Sequence, residues 1–378
     1  MKVFNLSSWI ADREYLSGST ENIQLTGKLE NLDLSNKSIP LDNKHLVNVE
    51  LFNVKWVNIN LANKTTLTGV RISECDFSYG NFENVDFKDT QISNLIAIGS
   101  NFENANLAGL DLSNSKLEFA NFTDANLTGT TLIGATLKQA NFEKANLQYS
   151  NLTCADLTSA NLTSANLAKA DLVSADLNGA YLISAYLYNA KLEKAKLTGA
   201  DLTRAYLKDT NLSGANLYNA NLEEAKLIGA DLTSADLEEA KLTGAYLFFA
   251  GLTGANLEKA DLTSADLTGA NLKGANLASA DLEKADLPSA YLTRTNLTGT
   301  NLTSANLKYA NLTGADLTGA NLTGVDLSYA NLTNANLDGV DLTSANLTGA
   351  KLDGTVLSKK NKNQPEKINT QKIWKMNI

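Results

Sequence analysis

His45 is the single histidine of this 378-residue chain, and Cys75 and Cys154 are its two cysteines. These are the side chains that most readily serve as base, nucleophile or metal ligand near neutral pH. Catalysis needs unlike groups to converge, a nucleophile beside a base or ligands at metal spacing. His45 stands without a partner motif, and the cysteines show neither a disulfide framework nor zinc-ligand spacing. The sequence also lacks a phosphate-cradling glycine loop and a Gly-x-Ser-x-Gly elbow. Carboxylates are the remaining source of chemistry. Asp231 and Asp236, like Asp261 and Asp266, are five apart, and Asp261 and Asp281 are twenty apart. Asp and Asn alternate freely at this slot of a repeat, so a solvated ladder fits them better than a general acid–base pair. The expectation is a non-enzymatic protein with no cofactor and no metal.

That repeat must position everything else. From Asn121 to Ala350 a small residue, usually Ala, occupies the positions divisible by five; Asn or Asp usually follows, then Leu or Phe, then two mostly polar residues. With Leu67 as a centre, every fifth residue runs Ile72, Phe77, Phe82, Phe87, Ile92, Ala97, Phe102, Leu107 and on to Leu357, with no insertion and no charged centre. A helix needs apolar residues at a spacing of 3.6 and a half-buried strand needs them at 2. A period of five fits neither. It fits a short extended triplet, such as Ala285 to Leu287, with first and third side chains inward and a tight turn after it. The intervening Asn or Asp then points outward.

The motif A-(D/N)-L-x-x resembles the pentapeptide-repeat family, and the match covers Thr65 to Ser358. The resemblance implies an all-β fold, a right-handed, quadrilateral parallel β-helix with four pentapeptides per coil. About 15 coils stacked like paired strands, roughly 4.8 Å apart, would give a length of about 70 Å. A solenoid of this kind grows by stacking and counts as one elongated domain.

The 32 basic and 41 acidic residues leave a net charge of −9. An acidic surface does not favour direct nucleic-acid binding. Asp12, Arg13 and Glu14 interrupt any apolar run at the start, which argues against a signal peptide. No run approaches the length of a membrane span. The chain is read as cytoplasmic.

Four segments are expected. Residues 1–22 are not repeat-like and would form a helical N-terminal cap, with Ser8 capping a helix from Trp9 to about Leu16. Residues 23–66 hold irregular first coils, in which Leu41, Leu46, Leu51, Trp56 and Leu61 keep a phase of their own. The step from Leu61 to Leu67 is six, so an extra residue near Asn63 and Lys64 should bulge. Residues 67–357 form the regular helix; within it Phe82, Phe102, Phe122 and Phe142 should stack as an internal ladder. Residues 358–378 form a basic tail or cap, with six lysines against Glu366 and with Trp374 among apolar residues.

Function must then lie on the surface. With twenty residues per coil, one wall presents Tyr186, Tyr188, Tyr206, Ile228, Tyr246, Phe248 and Phe249, where other repeats carry Thr, Ser, Lys or Glu. Tyr149 precedes this column and Tyr309 and Tyr329 continue it; Lys208 and Lys226 interrupt it. Contiguous exposed apolar patches mark interaction sites, and aromatics are enriched in interface cores. The alternative surface is acidic: Glu223, Glu224, Asp231, Asp236, Glu238, Glu239 and Glu258. Some pentapeptide-repeat proteins, those conferring quinolone resistance, are dimeric, with a negative surface that imitates DNA and engages DNA gyrase. Lys226, Lys241 and Lys259 break up that field here. The expected function is a rigid protein-interaction scaffold working through the aromatic wall, with an unknown protein partner or a second copy of the chain as a homodimer. A DNA-imitating gyrase modulator is the first alternative. A bacterial effector with a delivery signal in residues 1–22 is the second.

Overall fold

The computed structural model describes residues 2–11, 23–35, 39, 41, 44–61 and 65–357. The chain divides into two units, Met1–Tyr186 and Leu187–Ile378. Both are parallel β-solenoids of stacked coils, and the reason lies in how one pentapeptide satisfies its backbone.

Each buried N–H needs a partner. In the repeat Asn101–Ala105, the Asn101 N–H donates to Gly80 O of the coil before (2.8 Å) and the Phe102 N–H to Asn121 O of the coil after (2.7 Å). Asn104 N–H reaches Thr123 O at 3.0 Å, and Ala105 N–H closes the turn on Phe102 O at 3.0 Å. The fifth donor, Glu103 N–H, has no backbone acceptor and takes the Asn101 side-chain oxygen at 3.2 Å. This is an Asx turn. It explains why Asn and Asp share the slot: either supplies that oxygen. The second unit repeats the scheme, with Thr263 N–H on Asp261 Oδ1 at 2.9 Å. Asn adds a donor, so Asn121 also bonds Asn101 (2.9 Å) and Asn161 bonds Asn141 (2.9 Å) along the stack.

The small and central residues of each repeat fill the interior, as the period requires. Ala285 and Leu287 are buried, as are Cys75 in the small-residue slot and Val49, Val54 and Ile59 in the early coils. The phenylalanine ladder is present: ring centroids lie 4.8 Å apart for Phe82–Phe102, 5.0 Å for Phe102–Phe122 and 4.8 Å for Phe122–Phe142, all near parallel.

The first unit opens with β1 (Lys2–Asn5), α1 (Leu6–Ala11), β2 (Ile23–Asp33), β3 (Lys44–Lys55), β4 (Thr66–Thr68), β5 (Arg71–Ser73) and β6 (Gln91–Ser93). The sheet order is β1-β2-β3-β5-β6, with β4 also on β3. Its registers show the coil shortening: Gly27 faces Val49, Glu50 faces Arg71, and Arg71 faces Gln91. The first coils take 21 residues, as in Ile23 facing Lys44, and widen to 22 after a register shift between Leu25 and Gly27. They settle to 20 across the six-residue step, since Asn60 faces Asn81 and Thr66 faces Asp86. Asn63 and Lys64, the expected bulge, lie outside the described residues. The second unit ends on β7 (Asn336–Leu337) paired with β8 (Val356–Leu357).

The N-terminal segment departs from expectation. Its helix begins at Leu6, not Trp9, because Asn5 is the cap: its Oδ1 accepts the Ser7 N–H at 2.9 Å. Ahead of the helix, β1 extends the sheet by one strand. Leu6 and Trp9 are buried, and Trp9 packs against Phe4 at 5.5 Å. The remainder of the expected helix, from Asp12 to Leu16, lies outside the described residues, as does the tail from Ser358.

Candidate interaction surface

In the second unit the aromatic positions sit on successive coils of one wall. Tyr206 bridges Lys226, and Lys226 bridges Tyr246. The same wall carries Tyr188, Ile228, Phe248 and Phe249, held by bonds such as Leu187 N–H to Tyr206 O (2.8 Å) and Gly229 N–H to Phe248 O (2.8 Å). The structure therefore brings six of the seven expected residues together. Tyr186, 48% exposed, is the last residue of the first unit, where it bridges Asn166.

Phe249 is the most exposed large apolar residue of this group, at 71%. It also stands at a left-handed turn position, with φ 53°. A bulky residue there is a steric outlier, costing roughly 1–2 kcal/mol. Most of its ring stays in solvent, and its contact within the chain is made one coil further on. Its ring leans over the next coil, where a β-carbon on Gly269 would lie 2.6 Å from it. Tyr79 over Gly99 and Tyr329 over Gly349 repeat the arrangement at 2.9 and 2.6 Å.

The lysines of this wall belong to it as well. Lys208 lies 5.8 Å from the Tyr188 ring centroid, and Lys226 lies 4.9 Å from that of Tyr206. Both distances permit cation–π attraction. In the first unit Lys169 lies over Tyr149 at 5.3 Å. Later in the second unit Tyr309 and Tyr329 stack at 5.1 Å, with Lys308 over Tyr309 at 5.2 Å. Sequence reasoning missed the glycine partners and the lysine–tyrosine stacking. The signal was available: Gly269 follows Phe249, and Lys208 follows Tyr188, by one coil of twenty residues.

The acidic residues are spread over three walls. Glu223 and Glu224 share one, and Arg204 pairs with Glu224 at 2.7 Å, holding its carboxyl below the usual range. Asp231 occupies the next and accepts the Thr233 N–H at 2.9 Å. Asp236, Glu238, Glu239 and Glu258 lie on the third, opposite the aromatic wall. There Lys259 stands 3.6, 3.6 and 3.8 Å from Glu238, Glu239 and Glu258, and their field raises its own pKa. Tyr218 donates its hydroxyl to Glu239 at 2.9 Å, which pushes its pKa up.

The residues able to do chemistry stay apart. His45 Nδ1 lies 2.7 Å from the Thr66 hydroxyl. Cys75 is buried, and burial raises its pKa, whereas Cys154 is exposed at a turn. Asp261 does bridge Asp281. Burial pushes the Asp261 pKa up, but hydrogen bonds from Thr263 and Thr243 and the charge of Lys241 outweigh it and leave it lowered. That makes Asp261 a fixed anion and a poor proton donor. Among the described residues no group of His, Cys, Asp and Glu could hold a metal ion, and no helix is long and apolar enough to cross a membrane.

Comparison with known proteins follows the same lines. The family described as Pentapeptide repeats matches residues 65–244 and 250–358 in overlapping blocks. The five residues between the blocks form the repeat that carries Tyr246, Phe248 and Phe249. Among solved structures, HetL, a pentapeptide repeat protein involved in heterocyst differentiation regulation from the cyanobacterium Nostoc sp. strain PCC 7120, is 33% identical. The match covers 67% of this chain and 90% of HetL, with a TM-score of 0.25. QnrB1, a plasmid-mediated fluoroquinolone resistance protein, is 22% identical over 47% of this chain and 88% of its own, with a TM-score of 0.31. Rfr23 from the cyanobacterium Cyanothece 51142 is 44% identical over 26% of this chain and 63% of its own, with a TM-score of 0.18. A comparison with curated proteins finds no match.

Proposed function

We propose, on the premise that this chain belongs to the pentapeptide-repeat family, that it is a non-enzymatic interaction scaffold whose contact surface is the aromatic wall of the second unit. The observation that carries this reading is Phe249. A phenylalanine that stands exposed in a turn is disfavoured by solvation, where polar residues such as Lys144, Arg204 and Ser234 fill the same left-handed slot in other repeats, so stability within the chain is a weak reason for its presence. A partner that covers the ring supplies a better one. Tyr188, Tyr206, Ile228, Tyr246 and Phe248 extend the patch over neighbouring coils, and aromatic residues are enriched in interface cores.

A DNA-imitating role against DNA gyrase has less support, because it needs a sustained field of one sign. Arg204 and Lys259 instead sit among the acidic residues, which face three directions. An effector role read from residues 1–22 rests on residues mostly outside those described.

The test is a native pull-down of wild type against Tyr206→Ser/Tyr246→Ser/Phe248→Ser/Phe249→Ser, read by mass spectrometry, with light scattering on both proteins. Loss of a partner or of a dimer by a variant that stays folded is the expected result. Identical captured proteins and identical mass would overturn the aromatic wall and direct attention to a gyrase supercoiling assay.

A further inference from the structure

The Asx turn that serves the fifth backbone donor of a repeat is missing along the aromatic wall. At twenty-residue steps the Asn or Asp slot is filled by Tyr186, Tyr206, Lys226 and Tyr246. Neither tyrosine nor lysine carries an oxygen close enough to its own backbone to replace the Asx acceptor. The N–H groups two residues on, those of Tyr188, Lys208, Ile228 and Phe248, accordingly have no acceptor among the described residues. On the other walls of the second unit the slot lacks Asn and Asp on single coils only, as at Lys241 and Gly251. The aromatic wall itself returns to the rule at Asp266, whose Oδ1 accepts the Thr268 N–H at 3.0 Å.

In an Asx turn this N–H points to a side-chain oxygen on the outer face, so the four bare donors face outward. They follow one another at the coil spacing, roughly 4.8 Å. Lys208 and Lys226 stand beside them, against Asp209 alone over the same coils. Asp209 lies 3.9 Å from Lys208, whereas Lys226 is half-buried over Tyr206 and makes no ion pair among the described residues. Glu224, on the wall before, is already held by Arg204. A face made of donors and cations takes anionic oxygens, and bonds to such oxygens are the strong ones. The rings of Tyr206, Tyr246 and Phe249 offer apolar contact alongside. A long polyanion would run on to Asp266 and Asp286, the next slots of this wall, and be repelled. A short segment with carboxylates next to apolar side chains would not.

The geometry points to an acidic peptide segment of a partner protein as the occupant of the aromatic wall. Its carboxylates accept the N–H groups of Lys208, Ile228 and Phe248 and pair with Lys226, while its apolar side chains pack on the rings. This rests on the reading of the aromatic wall as a contact surface and adds the chemistry by which that surface selects.

The fold itself supplies a way to delete the donors. Ala230 N–H closes on Leu227 O at 3.0 Å with Gly229 at φ 66°, so Ile228 holds the turn position that proline favours. Pro288 occupies that place two coils after Phe248, on the same wall, before Ser289 at φ 59°. Ile228→Pro/Phe248→Pro therefore removes two N–H groups from turns that accept proline, and Ile228→Ala/Phe248→Ala removes the same side chains but keeps the donors. Circular dichroism and melting temperature confirm that both pairs fold.

A random peptide library displayed on phage and selected on the full chain supplies the probe. Enrichment of Asp and Glu beside Leu, Ile, Phe or Trp is the expected result, and the most enriched peptide is then synthesised for fluorescence anisotropy. The proline pair should bind it about tenfold or more weakly than the alanine pair, the worth of a hydrogen bond to a charged group. Lys226→Gln should weaken binding as well, and Lys226→Arg should keep it. A selection that yields no peptide, or peptides without acidic enrichment, overturns the proposal. So does equal binding by the proline and alanine pairs, or an oligothymidylate bound as tightly as the peptide. If the proposal falls while the serine variant still loses a foreign protein in the pull-down, the aromatic wall stands with a different chemistry of contact. If nothing is lost there either, the wall itself fails.

Discussion

The Phe249 ring covers the α-carbon of Gly269 one coil further on, so closely that a β-carbon there would lie 2.6 Å away. The pair couples a surface aromatic to a backbone position twenty residues distant. Gly269 has φ +66°, so alanine at this site meets both a backbone penalty and the ring. At Gly274, with φ +65° and nothing within 4 Å, alanine meets the backbone penalty alone. Gly274→Ala should cost about 1–2 kcal/mol, and Gly269→Ala more. In a Phe249→Ser background the two should become equal. Thermal melts of the four variants form a double-mutant cycle, and an unchanged difference in the serine background would contradict the contact.

Leu217 and Thr323 test the inward and outward assignment. Leu217 is fully buried, whereas Thr323 is exposed and donates its hydroxyl to Asn321 at 2.7 Å. Leu217→Asp places a charge in the apolar interior without a partner and should cost several kcal/mol. Thr323→Asp should stay within about 0.5 kcal/mol. Equal melting temperatures would show that the five-residue register is misread.

The phenylalanine ladder makes a local prediction. Phe122 is stacked on both sides, at 5.0 Å from Phe102 and 4.8 Å from Phe142. Phe122→Ala should cost about 3–5 kcal/mol, through lost burial and the cavity left behind. In a stacked-repeat fold stability is a sum of neighbour terms, so the loss should concentrate near the site. Hydrogen exchange should speed up around residues 102–142 and change little near Leu332. Uniform acceleration throughout would mean that the fold opens as one unit.

These tests also mark how far the sequence was legible. The interior could be read because each inward slot has one requirement, and Leu67 to Leu357 keeps it at every fifth residue. The Asx turn could not: a rule that points Asn or Asp outward says nothing of Glu103 N–H, which lacks a backbone acceptor until the coils are stacked. The helix start went to Ser8 because serine is a good cap in isolation. Asn5 took the role because β1 had already fixed its backbone in the sheet. On the surface, the twenty-residue column correctly grouped Tyr188, Tyr206, Ile228, Tyr246, Phe248 and Phe249. It treated Lys208 and Lys226 as interruptions, whereas both lie over tyrosine rings. The acidic residues close in sequence, Glu224, Asp231 and Glu238, face three directions, since five residues turn a corner.

Acid should unmask the aspartates that the repeat holds as anions. Burial raises the pKa of both Asp156 and Asp261, yet in each the net shift is downward. For Asp156 the opposing causes are hydrogen bonds from Thr158 and the Lys138 ammonium, 3.2 Å away. For Asp261 they are Thr263, Thr243 and Lys241. A folded-state pKa below the unfolded value, about 3.9, means that the unfolded chain binds the proton more readily. The stability each carboxylate contributes is thus present above that value and is lost as pH falls through the lower folded one. Asp156→Asn/Asp261→Asn keeps an oxygen for the Thr158 and Thr263 N–H groups but removes the titration. The melting temperature of the double variant should fall less between pH 5 and pH 2 than that of wild type. A parallel fall in both proteins would show that these two aspartates titrate alike in the folded and unfolded chain.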